Sequence, residues 1–191
     1  MEALEARLGY TFRDRALLEN ALMHSSYANE NRARGYTSNE RLEFLGDSVL
    51  GMVTAARLYA LYPDMPEGKM SRLRAELVCE QALHGVALTL HLGDYIRLGH
   101  GEERSGGRER PSILADAVEA VIAAMYLDGG WSPRSALSSR TSSTVWPRGR
   151  STTSRIIRPS CRSACSAAPG RRFLIPSAPR ASGPQQDVHP W

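Results

Sequence analysis

The chain has 191 residues, of which 42% are hydrophobic, 23% charged and 7% aromatic. That composition excludes collagen-like, miniature disulfide-stapled and wholly disordered classes, and it suits one domain of ordinary size with residues to spare. The net charge of +4 hides two unlike parts: residues 1–131 hold 19 of the 20 acids and 14 of the 24 Lys and Arg, a net −5, whereas residues 132–191 hold one acid, Asp187, and 10 arginines, a net +9. No apolar stretch reads as approaching the roughly 18 to 20 residues of a membrane span. The opening MEALEARLGYTF is amphipathic with early acids, unlike a secretory signal. A cytoplasmic protein with no membrane partner is the expectation.

Helical periods dominate residues 1–131. Leu4 and Leu8 predict a short helix ending at Gly9, and Asp14 is placed to cap a second one with Leu17, Leu18, Ala21 and Leu22 on its apolar face. The polar run NENRARGYTSN reads as a loop. Leu42, Leu45, Val49, Met52, Val53 and Ala56 recur at three- and four-residue spacing, predicting a long helix that stops before Pro63. Pro66-Glu67-Gly68 reads as a turn, and Ser71 as the cap of a helix through Leu73, Leu77 and Val78 towards Leu83. GHGEERSGGRER has the composition of a flexible loop. After it, Pro111 or Ser112 opens a strong helix with Ile113, Leu114, Ala117, Val118, Val121, Ile122 and Met125 inward, ended by Asp128-Gly129-Gly130. The predicted fold class is an all-α bundle.

Beyond Trp131 no helical or strand period survives. Residues 132–191 hold 13 Ser, 10 Arg and 8 Pro, types that do not build cores, so a mostly disordered tail is expected. Three cysteines, Cys79, Cys161 and Cys165, are too few for a disulfide framework, and reduced thiols are the default.

Two of the predicted helices carry acids among apolar residues: Glu43 and Asp47 in RLEFLGDSVL, and Asp116 and Glu119 in ILADAVEAVI. Spacings of i, i+4 and i, i+3 put each pair on one side of its helix, so four carboxylates are able to meet between two helices. Such a cluster beside a core is costly unless protons, cations or basic side chains neutralise it. Oxygen-only ligands favour a hard divalent ion such as Mg²⁺ or Mn²⁺. A di-iron site of the ferritin type would require Glu-x-x-His, and neither helix contains a histidine. The alternative is structural pairing of these acids with Arg41, Arg57 or Arg74. None of His24, His84, His91 and His100 has ligand spacing to the others or to the acids.

The segment Asn39-Glu40-Arg41-Leu42-Glu43-Phe44-Leu45-Gly46-Asp47-Ser48-Val49 resembles the signature of the ribonuclease III family. HSSYANE at residues 24–30, GKMSRLRAELV at 68–78 and SILADAVEA at 112–120 extend the resemblance in the same order, over residues 1–131 as a whole. The resemblance implies an all-α endonuclease domain that forms a homodimer and cuts both strands of double-stranded RNA with Mg²⁺, Mn²⁺ substituting. It also implies 5′-phosphate products and a place in the processing of structured precursors of rRNA and mRNA. Carried onto this sequence, it makes Glu43, Asp47, Asp116 and Glu119 the metal ligands, with Asp47 and Glu119 also catalytic. Phe44 becomes a plug in the dimer interface rather than a core residue, and Glu40 and Glu76 line the RNA groove. Lys69, Arg72, Arg74, Arg97 and Arg108 are candidate phosphate contacts.

Bacterial members usually continue into an αβββα module that binds duplex RNA by shape, and nothing after Trp131 resembles it. The basic residues are 23 Arg and one Lys, which suggests a GC-rich gene, and GC-rich codons read out of frame yield mainly Arg, Ser, Pro, Ala and Gly. From Arg155 onward a shifted frame permits a stretch like the opening of that module, so residues 132–191 are expected to be an out-of-frame tail. A catalytically weak relic that serves only as a dimerisation or RNA-binding partner is the competing expectation.

Overall fold

The structure, a computed structural model, describes residues 1–130. The expectations for residues 132–191, including Cys161 and Cys165, lie outside them. Within the described residues the protein is helical: α1 (Glu2–Leu8), α2 (Arg15–Ala21), α3 (Ser25–Glu30), α4 (Glu40–Leu61), α5 (Glu67–Leu77), α6 (Glu80–Leu90), α7 (His100–Arg104) and α8 (Pro111–Gly129), with 3₁₀ turns at Arg32–Arg34, Leu92–Asp94 and Gly107–Glu109. The sole extended pairing among them is a parallel bridge between Met23 and Arg97.

Local chemistry accounts for several helix ends. α1 stops at Gly9, whose φ of 67° is open to glycine at little cost. Asp14 caps α2 by accepting the Ala16 amide at 3.0 Å. Pro111 occupies the first turn of α8, where its missing N–H is no loss.

α8 is the central helix. Ile113, Leu114, Ala115, Ala117, Val118, Ala120, Val121, Ala123 and Ala124 are all buried, which covers most of its circumference, and its alanines allow α2, α4 and α6 to approach closely. Asp128 fastens its far end to the α1–α2 connection: it accepts the Tyr10 hydroxyl at 2.6 Å and the amides of Arg13 and Asp14 at 3.0 and 2.8 Å. The Tyr10 hydroxyl is pushed up to about 12, by burial first and then by the Asp128 carboxylate, whose own pKa is held below the usual range chiefly by the Tyr10 hydrogen bond.

Several readings of the sequence change. Pro66 is not a free turn: its carbonyl accepts the amides of Lys69 and Met70 at 2.9 and 3.1 Å, so it starts α5. Ser71 does not cap that helix but lies inside it, donating its hydroxyl to Glu67 at 2.6 Å. The helix expected to continue to Leu83 breaks at Val78-Cys79, because the apolar stripe Leu83, Val86, Ala87 and Leu90 packs α6 on α8 along a new axis.

The run GHGEERSGGRER is ordered by its own polar groups. Arg108 donates to Glu103 and to the carbonyls of Gly93 and Ile96, the latter two at 2.7 and 3.0 Å. Arg110 pairs with Glu102, and Glu30 accepts the His100 amide and faces its imidazole.

By length and a mean hydropathy of 1.2, α4 meets the minimum for a membrane span, contrary to the expectation that no stretch would. It nevertheless carries Glu40, Arg41, Glu43, Asp47 and Arg57, and buries Leu42, Gly46, Val49, Leu50, Thr54 and Leu58 inside the bundle, as a core helix does.

Candidate metal centre

The site forms where α4 crosses α8. A side chain at Gly46 would collide with the backbone carbonyl of Glu119, so the absence of one allows the two helix backbones to touch there. One residue after Gly46 stands Asp47, and three before it Glu43, one helical turn away, so both α4 acids are carried to the same crossing. α8 presents Asp116 and Glu119 from the opposite side.

Carboxylate oxygens of Glu43, Asp116 and Glu119, one from each, lie within 4.8 Å of one another. All three residues are half-buried. Asp47 is exposed and stands outside this three-oxygen group, but its charge acts on Glu119 more strongly than that of Asp116 or Glu43. Burial, followed by the charges of Asp47, Asp116 and Glu43, pushes Glu119 up to about 7. Glu43 is raised by burial and then by Asp116 and Glu40, and Asp116 by burial and then by Glu80, with His24 opposing.

The salt-bridge alternative fails among the described residues: none of the four acids forms an ion pair with Arg41, Arg57, Arg74 or any other cation. Like charges gathered without a cationic side chain leave protons or a metal ion as the neutralising agent. The donor set is carboxylate oxygen throughout, which fits a hard divalent cation.

The other residues singled out from the sequence are distributed around this crossing. Glu40 opens α4, accepts the Ser38 hydroxyl at 2.8 Å and acts electrostatically on Glu43. Lys69, Arg72, Arg74 and Glu76 are exposed along α5, a helix without a fully buried residue. Arg97 is half-buried at the bridge with Met23. Arg108, expected to touch phosphate, is instead committed to Glu103 and two backbone carbonyls. Phe44 is 79% exposed, which removes the core reading of that side chain. Two residues that sequence reasoning did not bring to the site are Glu80, at the start of α6, and His24, at the α2–α3 junction. Neither has a regular spacing to Asp116, so no sequence pattern pointed to them.

Known proteins resemble this chain in sequence and in fold. Residues 14–141 match the Ribonuclease-III-like family. Ribonuclease 3 of Oceanobacillus iheyensis is 53% identical over 128 residues, 67% of this chain and 56% of that protein. Ribonuclease 3 of Symbiobacterium thermophilum is 59% identical over 124 residues, 64% of this chain and 51% of that one. The nuclease domain of ribonuclease III from Campylobacter jejuni superposes with a TM-score of 0.69 at 41% identity, covering 78% of this chain and 98% of that structure. A second structure of that domain, described as flexible in the region involved in its dimer formation, gives 0.63 at 45% identity over 68% of this chain and 86% of its own. The chain spans about half the length of the curated relatives it matches. With its helical fold, its two pairs of helix-borne carboxylates and these matches taken together, the chain belongs to the ribonuclease-III-like family.

Proposed function

We propose that the protein is an endoribonuclease that hydrolyses the phosphodiester bonds of double-stranded RNA with a divalent cation, Mg²⁺ or in its place Mn²⁺. The observation that carries this reading is the convergence of Glu43, Asp116 and Glu119, with Asp47 beside them, at a helix crossing where no cationic side chain among the described residues forms an ion pair with them. A divalent cation bound there supplies Lewis-acid polarisation of the scissile phosphate and a water of lowered pKa. The four carboxylates hold it, Asp47 and Glu119 are the residues nearest the chemistry, and their net negative charge is what makes the site selective for a cation over a bare phosphate. Lys69, Arg72, Arg74 and Arg97 contact RNA phosphates, Glu40 and Glu76 line the groove, and these contacts position the duplex without reading its sequence.

Two strands require two sites, and one chain supplies one, so the working unit in this reading is a homodimer with Phe44 at its interface. Products with 5′-phosphate ends, a role in processing rRNA and mRNA precursors and a cytoplasmic location belong to the same proposal. So does the division of the chain into a catalytic domain at residues 1–131 and an out-of-frame tail at 132–191. The intact carboxylate set speaks against the relic reading.

The test is cleavage of long duplex RNA by the full chain, followed on a gel with and without Mg²⁺. Cleavage should require the ion, and Asp47→Asn and Glu119→Gln should each lower the rate by about a hundredfold or more, corresponding to roughly 3 kcal/mol of transition-state stabilisation. A parent that leaves duplex RNA uncut, or both variants cutting at the parental rate, would overturn the proposal.

A further inference from the structure

The connection between α3 and α4 is mostly polar, yet it is fastened every few residues. Asn31 donates its side-chain amide to the Tyr27 carbonyl at 3.0 Å, and the Tyr27 and Tyr36 rings meet with centroids 5.7 Å apart. Asn20 of α2 donates to the Thr37 carbonyl at 2.7 Å and to the Thr37 hydroxyl at 3.1 Å. Buried Asn39 donates its side-chain amide to the Ala21 carbonyl at 3.2 Å and its backbone amide to that of Met23 at 2.9 Å. Its own carbonyl accepts the Glu43 amide at 2.9 Å, so the connection ends fixed to the first turn of α4 and to the backbone of Glu43.

What this scaffold presents to solvent is positive charge. Arg32 and Arg34 are both exposed on the 3₁₀ turn Arg32–Arg34. The acid nearest to them in the chain, Glu30, is committed to α7: it accepts the His100 amide at 3.1 Å and stands 2.8 Å from the His100 imidazole. Arg32 donates to the neutral Asn29 side chain at 2.9 and 3.3 Å, which orients the guanidinium without cancelling its charge. The Arg34 side chain forms no hydrogen bond or ion pair among the described residues. Other arginines are committed to the fold, Arg15 to Glu2 and Glu5, Arg108 to Glu103 and Arg110 to Glu102.

We infer that Arg32 and Arg34 form a clamp for the phosphates of a duplex RNA seated at the α4–α8 crossing, an inference that rests on the reading of the protein as a double-stranded-RNA endonuclease. Residues 1–131 carry a net −5 and the crossing itself gathers carboxylates, so a polyanion is repelled there except where cations face it. Arg34 precedes Glu40 by six residues, roughly 20 Å of chain at most, and a long duplex at the crossing extends well beyond that distance. A guanidinium offers a planar fork to two phosphate oxygens, and a backbone already fastened loses little freedom when it binds. Contacts of this kind add affinity and register without reading sequence. Lys69, Arg72 and Arg74 belong to α5, so the clamp is a second basic element contributed by a separate segment.

Two measurements on the full 191-residue chain test the clamp. Arginines are labelled with phenylglyoxal with and without long duplex RNA and mapped by peptide mass. Arg32 and Arg34 should be protected by the RNA, while Arg13, exposed beside Asp128 at the far end of α8, should label equally in both. In steady-state cleavage with Mg²⁺ at about 0.15 M KCl, the double variant Arg32→Ala/Arg34→Ala should raise KM about fivefold or more with kcat unchanged, and that gap should close as salt is added. Its melting temperature should match the parent's, because the fastenings of the connection do not use either guanidinium except at Asn29. Arg13→Ala removes one charge elsewhere and should change KM less than about twofold. Equal labelling of Arg32 and Arg34 with and without RNA, or a KM shift in the double variant no larger than that of Arg13→Ala, would overturn the clamp. A parent that neither cuts duplex RNA nor is protected by it removes the endonuclease reading and the clamp together; a parent that cuts while Arg32 and Arg34 stay unprotected removes the clamp alone.

Discussion

At Glu119 the burial of one carboxylate beside Asp47, Asp116 and Glu43 raises the pKa from 4.5 to about 7, so in the metal-free chain the folded state keeps a proton that the unfolded state releases. The linkage follows directly. Between pH 4.5 and 7 the folded chain binds more protons at this residue than the unfolded chain, so the stability it supports is complete below 4.5 and is lost as pH rises through about 7. Glu43 and Asp116 are raised as well and add in the same direction. Glu30 and Asp128 are lowered and act with the opposite sign, but only below the ordinary carboxylate range, so they leave the window from pH 5 to 8 undisturbed. Thermal melts in EDTA should therefore show a higher melting temperature at pH 5 than at pH 8. Glu119→Gln should flatten that slope, and MgCl₂ should raise the melting temperature most at pH 8. Melting that is independent of pH across this range would contradict the charge crowding described for the site.

The α4–α8 crossing depends on the absence of one side chain. Because a methyl at Gly46 would overlap Glu119 backbone, which has no flexible end to move aside, Gly46→Ala has to push the two helices apart. The expected cost is about 3 kcal/mol in urea unfolding, accompanied by weaker Mn²⁺ binding, since separating the helices also separates Glu43 from Glu119. Gly85 in α6 is the control: a methyl there meets nothing within 4 Å, and Gly85→Ala should stabilise by about 0.5–1 kcal/mol through helix propensity. If Gly46→Ala is as well tolerated as Gly85→Ala, close backbone contact is not what assembles the site.

Among the described residues, α4 leaves an apolar face uncovered. Phe44 and Tyr59 are 79% and 77% exposed and Met52 about half exposed, and together with Ser48 they fall within about 80° of the helix surface. An exposed apolar stripe beside the α4–α8 crossing is what a second copy of the chain would cover in the proposed homodimer. Light scattering should find the parent dimeric at micromolar concentration. Phe44→Asp, which would bury an unpaired charge in that interface, should shift it to monomer without lowering the melting temperature of the monomer itself. A monomeric parent at micromolar concentration would contradict the dimer.

The sequence by itself determined the helical class, the end of α1 at Gly9, the start of α2 after Asp14, the stop of α4 before Pro63, both ends of α8, and the placing of two acids on one side of each of α4 and α8. In each case the signal is local: a 3.6-residue period, a cap or a glycine, and a charge placed where the period calls for an apolar residue. The tertiary structure alone decided what depends on contacts between distant segments. It turned the polar run at residues 99–110 into ordered structure, because Arg108 satisfies carbonyls of Gly93 and Ile96 that local composition does not reveal. It divided α5 from α6, because packing on α8 overrode a continuous helical pattern. It drew Glu43, Asp116 and Glu119 together and left Asp47 at the solvent edge, and it set Glu80 of α6 and His24 of the α2–α3 junction where they act electrostatically on Asp116. Periodicity specifies which face of a helix a residue occupies, whereas only packing specifies what that face meets.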